Sequence, residues 1–554
     1  MKNGLKGSLA VAAALIAGSA SLAAQSVNVN GLGSSALFLE LGLGASTSST
    51  IGASCVWSTN TSGTVVATDT SLGASSPRTD SGNAFVAWTP GTGGSCTAIS
   101  ASTQIYAYLQ TDSVVGNRCL FNGCTIMNNG SGLASANLIN SSEVALPAAI
   151  ATALNGSGSG LIVSAAGTDI RPEDAEFAVT RALTACGTAV TTGSQYLGLG
   201  YTNGATINSY FSGSTFNVIS FTLPSSFAVT PVGATPIVVV VNGNGATSGF
   251  SNPSITNVSS SALAEFLDGR FSFTNQALTT PAATGSAATV LIREPLSGTY
   301  NAMEYNVPNT VALQTSQDVG FNQPTAQRNC GSSASNPMNI ATPSGGARKR
   351  AIGTGQELAE VIATQNSLGY GFWSVANFKG FTSAAAPNAK YLTVDGVDPL
   401  FPSTHTYTGT IPVTGSADLA NVTLQNLNNA TGTANSYPIW SLLRLVNIGT
   451  ANSSVIALAK AAQSFVSFGT STSRPDFITA TNLAVVRSHF IPPVGAGEPT
   501  SAANGHVGVV LSPTSACTAT EAGGDVGGVV YALSTDSAYC TNNRVTTGHT
   551  GQRR

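Results

Sequence analysis

The chain has 554 residues, 42% of them apolar and only 8% charged, with 21 Lys and Arg against 24 Asp and Glu. That length allows two to four domains, and the apolar share is enough for a sizeable core. A formal charge of -3 without a basic stripe argues against a nucleic-acid binder. Beyond the N-terminus no 18-residue apolar run lacks polar interruptions, which argues against an integral membrane protein.

Residues 1–24 read as a secretory signal: Lys2 and Lys6 precede an apolar stretch from Leu9 to Ala17, with small residues before a cleavage point between Ala20 and Gln25. The expected location is therefore periplasmic or secreted. In an exported chain the eight cysteines point to disulfides. Short-range pairing gives Cys55–Cys96, Cys119–Cys124 and Cys517–Cys540, leaving Cys186 with Cys330. There is no CxxC pair, and His405, His489, His506 and His549 are scattered, so no metal site is expected.

Helices are predicted at 35–43, 143–154, 172–183, 259–268 and 356–365, the last following Gly353, Thr354 and Gly355. Strands are predicted at 84–88, 105–109, 161–165, 236–241, 290–293, 368–372 and 442–446, with the PIVVVV run at 236–241 the strongest. Stretches rich in Ser, Thr, Gly and Asn at 44–83, 122–140, 186–215 and 408–436 read as loops or insertions. The basic run at 348–350 reads as a solvated loop. The mixed order of elements favours an α/β fold.

Four segments carry chemistry. In 290–305 a strand ends at Arg293, and Ser297, Gly298 and Thr299 open a helix four residues later. Helix N-termini present free N–H groups and partial positive charge, and Arg can bridge two oxygens, so this arrangement suits phosphate. An ordinary capped helix with a surface Arg is the competing reading. Gly31, Gly33, Ser34, Ser35 and Ala36 precede another helix, either as anion donors or as a simple cap. Asp169 follows a strand, either as a cap or as an acceptor for a protonated oxyanion. Sulfate has no proton at neutral pH and would face that carboxylate unpaired. Residues 110–117 read as a turn, or as a helix start with Ser113 as donor.

Together these segments resemble the phosphate-binding proteins of bacterial ABC importers, in the type II periplasmic-binding-protein superfamily. The family pairs an Arg with Ser-Gly-Thr four residues on, as in Arg293 with Ser297, Gly298 and Thr299. Its first loop, Gly-x-Gly-x-Thr-Phe, is similar to residues 31–36, with Ser35 in the Thr position and Ala36 in that of Phe. Its Ser-Asp is similar to Thr168–Asp169. Residues 262–270, 353–358, 368–371 and 437–440 follow in the family's order, while the chain is longer, with insertions near 44–83 and 186–220 and a tail after about 510.

The resemblance implies two α/β lobes with mixed sheets flanked by helices: lobe 1 from 25–235 and 396–510, lobe 2 from 236–395, and a disulfide-closed extension at 511–554. It implies inorganic phosphate held in the cleft by Ser35, Ala36, Ser113, Asp169, Arg293, Ser297, Gly298 and Thr299. It also implies an ABC permease as partner, a monomer, no cofactor and no catalysis. Three other readings stand beside it: a surface structural or adhesive protein on the same scaffold, a binder of another oxyanion, and an exported phosphate-ester hydrolase. The last lacks both a metal cluster and a GxSxG elbow.

Overall fold

The computed structural model describes residues 26–59, 65–69, 78–128, 143–156, 160–172, 221–244, 247–267, 271–278, 285–293, 296–307, 338–340, 346–351, 353–381, 387–413, 415–427, 437–465 and 477–480, with 158 and 175, apart from some side chains within these ranges. The signal at 1–24, the extension at 511–554, the pairs Cys186–Cys330 and Cys517–Cys540, and nearly all of the helix expected at 172–183 lie outside them.

The strands are β1 (Val27–Ser34), β2 (Cys55–Ser58), β3 (Val65–Asp69), β4 (Arg78–Ser81), β5 (Ala84–Trp88), β6 (Ile105–Thr111), β7 (Thr125–Asn128), β8 (Leu161–Ile162), β9 (Ala165–Thr168), β10 (Phe227–Asn242), β11 (Asn257–Val258), β12 (Thr289–Arg293), β13 (Met338–Ile340), β14 (Ala347–Ala351), β15 (Ser367–Phe372), β16 (Ala389–Val394), β17 (Trp440–Ile448) and β18 (Ile478–Thr479). The α-helices are α1 (Phe38–Thr47), α2 (Ser113–Asn122), α3 (Ala148–Asn155), α4 (Ser260–Leu267), α5 (Gly298–Asn306), α6 (Gly353–Ala363), α7 (Val375–Phe378) and α8 (Ser453–Ser464). Fourteen strands join one mixed sheet whose main order is β13-β14-β12-β15-β10-β17-β9-β1-β6-β5-β2, and β4-β3-β7-β8 form a second. The α/β class expected from the sequence is the observed one.

Two parallel clusters stand on either side of β10. In one, β1 lies between β6 and β9, parallel to both. In the other, β12 lies between β14 and β15, again parallel to both. Strands β6 and β12 are buried on both faces along most of their length, which is why they carry near-continuous apolar runs (VLI in β12, IYAYL in β6). The 16-residue β10 links the clusters. Its first part pairs with β17 from Phe227 to Pro236, and its second part pairs with β15 and β16 from Ile237 to Asn242. Pro231 stands at a register shift and Pro236 where the partners change, positions where a missing N–H does least harm to a ladder.

Several local expectations are corrected. Helix α3 starts at Ala148 with Pro147 as its N-cap, because proline fits a helix start and disfavours helix in the residue before it. The strand expected at 161–165 is two: β8 pairs with β7 and β9 with β1, and Ile162, the last residue of β8, is 63% exposed. The glycines expected to precede helix 356–365 form the first turn of α6, which starts at Gly353. The loops expected at 44–83 and 122–140 contain β2, β3, β4 and β7. The basic run lies in β14, where Arg348 is buried and Lys349 pairs with Glu360 at 2.8 Å.

Helix α1 packs on α8 without side-chain bulk between them: a Cβ on Gly44 would stand 2.6 Å from the Ala462 Cα. Two disulfides are present among the described residues. Cys55–Cys96 ties β2 to the segment after β5, and Cys119–Cys124 ties the end of α2 to the approach to β7. Both match the short-range pairing.

Candidate anion site at the strand ends

In open α/β sheets, ligands lie beyond the carboxyl ends of parallel strands. Here β1 ends at Ser34, β6 at Thr111, β9 at Thr168 and β12 at Arg293. The residues immediately following these strands converge. A Cβ built on Gly298 would stand 1.6 Å from Asp169 Oδ1 and 2.3 Å from Ser113 Oγ. Thus the start of α5, from the β12 cluster, lies directly against Asp169 and Ser113, from the β1 cluster. Leu296 and Val114 join the same seam, the Val114 N–H donating to the Leu296 carbonyl at 3.3 Å.

Ser113 is the first residue of α2, so residues 110–117 form a helix start and not an isolated turn. Its Oγ accepts from the Asp169 N–H at 3.2 Å, which leaves its hydroxyl proton to be given elsewhere. Helix α2 approaches β1 closely because both have glycine there: a Cβ on Gly116 would stand 2.7 Å from the Gly33 Cα. Ser297 is the N-cap of α5, its side chain accepting from the Tyr300 N–H at 3.3 Å. The N–H groups of Gly298 and Thr299 then have no intrahelical acceptor and add to the positive helix end.

Arg293 is 2% exposed. Its Nη1 donates to Thr354 Oγ1 at 2.7 Å and to Thr299 Oγ1 at 3.5 Å, and its Nη2 lies 3.5 Å from Asp112 Oδ1. The guanidinium is held by α6, α5 and the start of α2 together, which fixes the direction of its fork.

Asp169 is equally buried. Its carbonyl accepts from the Ser441 hydroxyl, and its carboxylate is hydrogen-bonded by Ser34. Its Oδ1 has no hydrogen-bond partner among the described residues. Burial pushes the carboxyl up to about 7, against the pull of its backbone hydrogen bond, of Arg293 and Arg444, and of Ser34. The folded value lies above the ordinary 3.8. The native state therefore holds this proton more tightly than the unfolded chain does. The stabilisation is complete below about pH 4 and is lost as pH rises towards about 7. We expect the ligand-free protein to lose stability over that window by up to about 1.4 kcal/mol per pH unit relative to Asp169→Asn. Denaturant unfolding of both proteins across the window measures this, and parallel profiles would contradict it.

The structure brings Ser113, Asp169, Arg293, Ser297, Gly298 and Thr299 to one locus. Ser35 and Ala36 open the short 3-10 turn before α1, where Ser34 is the N-cap and accepts from the Ala36 N–H at 3.1 Å. The serine that reaches Asp169 is Ser34, which the sequence reading did not include among the site residues. That reading also missed Asp112, Thr354, Ser441 and Arg444. Arg444 left a signal, being a charge inside the otherwise apolar WSLLRLV of β17, fully buried and registered against Thr168. Among the described residues no group of three or more His, Cys, Asp and Glu is placed to hold a metal ion, and no helix is long and apolar enough to cross a membrane.

No family model matches the chain, and no curated protein does. The solved structures that it resembles include phosphate-binding proteins. One is a high-affinity periplasmic phosphate-binding protein, PfluDING, bound with phosphate: 13% identity, covering 79% of this chain and 90% of that one, TM-score 0.32. Another is a phosphate-binding protein from Stenotrophomonas maltophilia, with 16% identity, 75% and 90% covered, and TM-score 0.31. A third is an ancestral soluble variant of the Human Phosphate Binding Protein, with 13% identity, 82% and 97% covered, and TM-score 0.32. At such identities and scores the likeness does not place a ligand on this chain; the side chains must do that.

Proposed function

We propose that this is an exported solute-binding protein that holds inorganic phosphate between two lobes, without catalysis, and delivers it to an ABC permease. Lobe 1 comprises 25–235 and 396–510, and lobe 2 comprises 236–395, with β10 passing between them. The observation that carries the reading is the unpartnered Oδ1 of buried Asp169, facing a helix start and Ser113 beside the Arg293 guanidinium. A buried carboxylate oxygen with no donor is costly. Hydrogen phosphate supplies the missing donor through its own proton. Its other oxygens accept from Arg293, from the Gly298 and Thr299 N–H groups, and from the Ser113 and Thr299 hydroxyls. A fully ionised anion such as sulfate offers Asp169 nothing and meets its charge. It is excluded wherever Asp169 is ionised, which means above about pH 7.

The two disulfides among the described residues support an oxidising compartment. Lobe closure on the ligand would form the surface that a permease reads. Isothermal titration of the phosphate-stripped protein with phosphate and with sulfate tests the proposal. Binding of phosphate alone is the expected result.

A further inference from the structure

Arg293 is paired with a carboxylate that comes from the other parallel cluster. Asp112 follows β6 and is the N-cap of α2, with no side-chain capping hydrogen bond. Its Oδ1 stands 3.5 Å from Arg293 Nη2, and its side chain is 17% exposed, at the solvent edge of the site. Neither the Arg–Ser–Gly–Thr spacing nor Asp169 requires a carboxylate at this position.

We infer that Asp112 is a specificity-determining residue that weakens the hold of the site on dianions and so sets phosphate affinity. This rests on the phosphate reading above. A carboxylate in contact with one arm of the guanidinium lies roughly two hydrogen-bond lengths, about 6 Å, from an oxyanion seated on the same group. At that distance like charges repel appreciably even at a protein-surface dielectric. The penalty scales with ligand charge, so it falls harder on a dianion than on a monoanion. Asp169 differs because it is buried and accepts the ligand's proton, whereas Asp112 faces the guanidinium and has no proton to accept. Among the described residues Arg293, Asp169 and Arg444 are charged groups of the site, and the buried Tyr108 hydroxyl, held well above its ordinary range, stays neutral beside Asp169. All remain in a neutral Asp112 variant, so their titration cancels when the variant is compared with the parent.

Asp112→Asn and Asp112→Ser both keep a good N-cap side chain. The test is the phosphate dissociation constant of the full-length protein and both variants. It is measured at about pH 8.5, where phosphate is a dianion, and at about pH 5.5, where it is a monoanion. The expected result is roughly tenfold tighter binding in both variants at the higher pH and less than about threefold at the lower, with sulfate still excluded at the higher pH because Asp169 is intact. Unchanged or weaker phosphate binding at the higher pH, with the parent still binding phosphate, overturns the role of Asp112 and leaves the phosphate reading standing. An equal gain at both pH values also overturns it, because a packing effect ignores ligand charge. No phosphate binding by the parent removes both.

Discussion

Replacing Arg293 by Ala is expected to weaken phosphate binding by about two to three and a half orders of magnitude. The guanidinium is 2% exposed at the end of β12 and, in the proposed reading, is the cation that meets the ligand. Removing one partner of a buried charge pair costs about 3–5 kcal/mol, because the other charge is left without compensation. Arg293→Lys keeps the charge and loses the two-pronged geometry, so an intermediate loss is expected. The Ala variant also withdraws the pull that Arg293 exerts on Asp169, so the Asp169 carboxyl should titrate higher still. Titration calorimetry of the two variants checks the affinities, and an Ala variant within tenfold of the parent would contradict the assignment.

The second large effect is expected from the smallest substitution, Gly298→Ala. A methyl group there would meet Asp169 Oδ1 at 1.6 Å and Ser113 Oγ at 2.3 Å. Neither neighbour can retreat easily. Asp169 is bound through its own N–H to Ser113, through its carbonyl to Ser441, and through its carboxylate to Ser34. The start of α5 must instead withdraw, taking with it the Gly298 and Thr299 N–H groups. Two hydrogen bonds to a charged ligand, at about 1.5–3 kcal/mol each, correspond to a loss of at least about a hundredfold. Ala is a better helix former than Gly, so α5 itself should not weaken. The clash itself costs about 1–3 kcal/mol of stability, so the expected signature is lost phosphate binding in a protein that still folds, with a melting temperature lowered by the overpacking. Retained binding would show that α5 and Asp169 do not share the ligand.

The sequence made the apolar architecture legible wherever strands are buried on both faces. The AFVAW of β5 and the VLIR of β12 fall where the pattern puts them, within a residue. The PIVVVV run is only the second part of β10. The first part, FAVTPVGAT, hides behind two prolines that normally argue against a central strand. The structure accommodates them at a register shift and at a change of partners. Strands β2 and β4 were hidden differently, inside Ser- and Thr-rich stretches: β2 pairs with β5 about thirty residues on, and β4 pairs back on β3 through a polar RTDS segment with no apolar alternation to mark it. At the site, residues that open helices after buried strands were readable, because a polar cluster beyond an apolar run marks a strand end. Ser34, Asp112, Thr354 and Arg444 act through partners on other elements, and no local spacing encodes those pairings.

In the proposed reading the unpartnered oxygen of Asp169 meets a ligand that carries its own proton. The most direct test is calorimetric titration of the phosphate-stripped protein with phosphate and then sulfate at about pH 8, above the Asp169 titration, with Asp169→Asn alongside. Tight phosphate binding and no sulfate binding by the parent are expected. Measurable sulfate binding is expected of the Asn variant, whose amide can donate to an unprotonated oxyanion. Equal binding of both anions by the parent, or heat from neither, would contradict that reading.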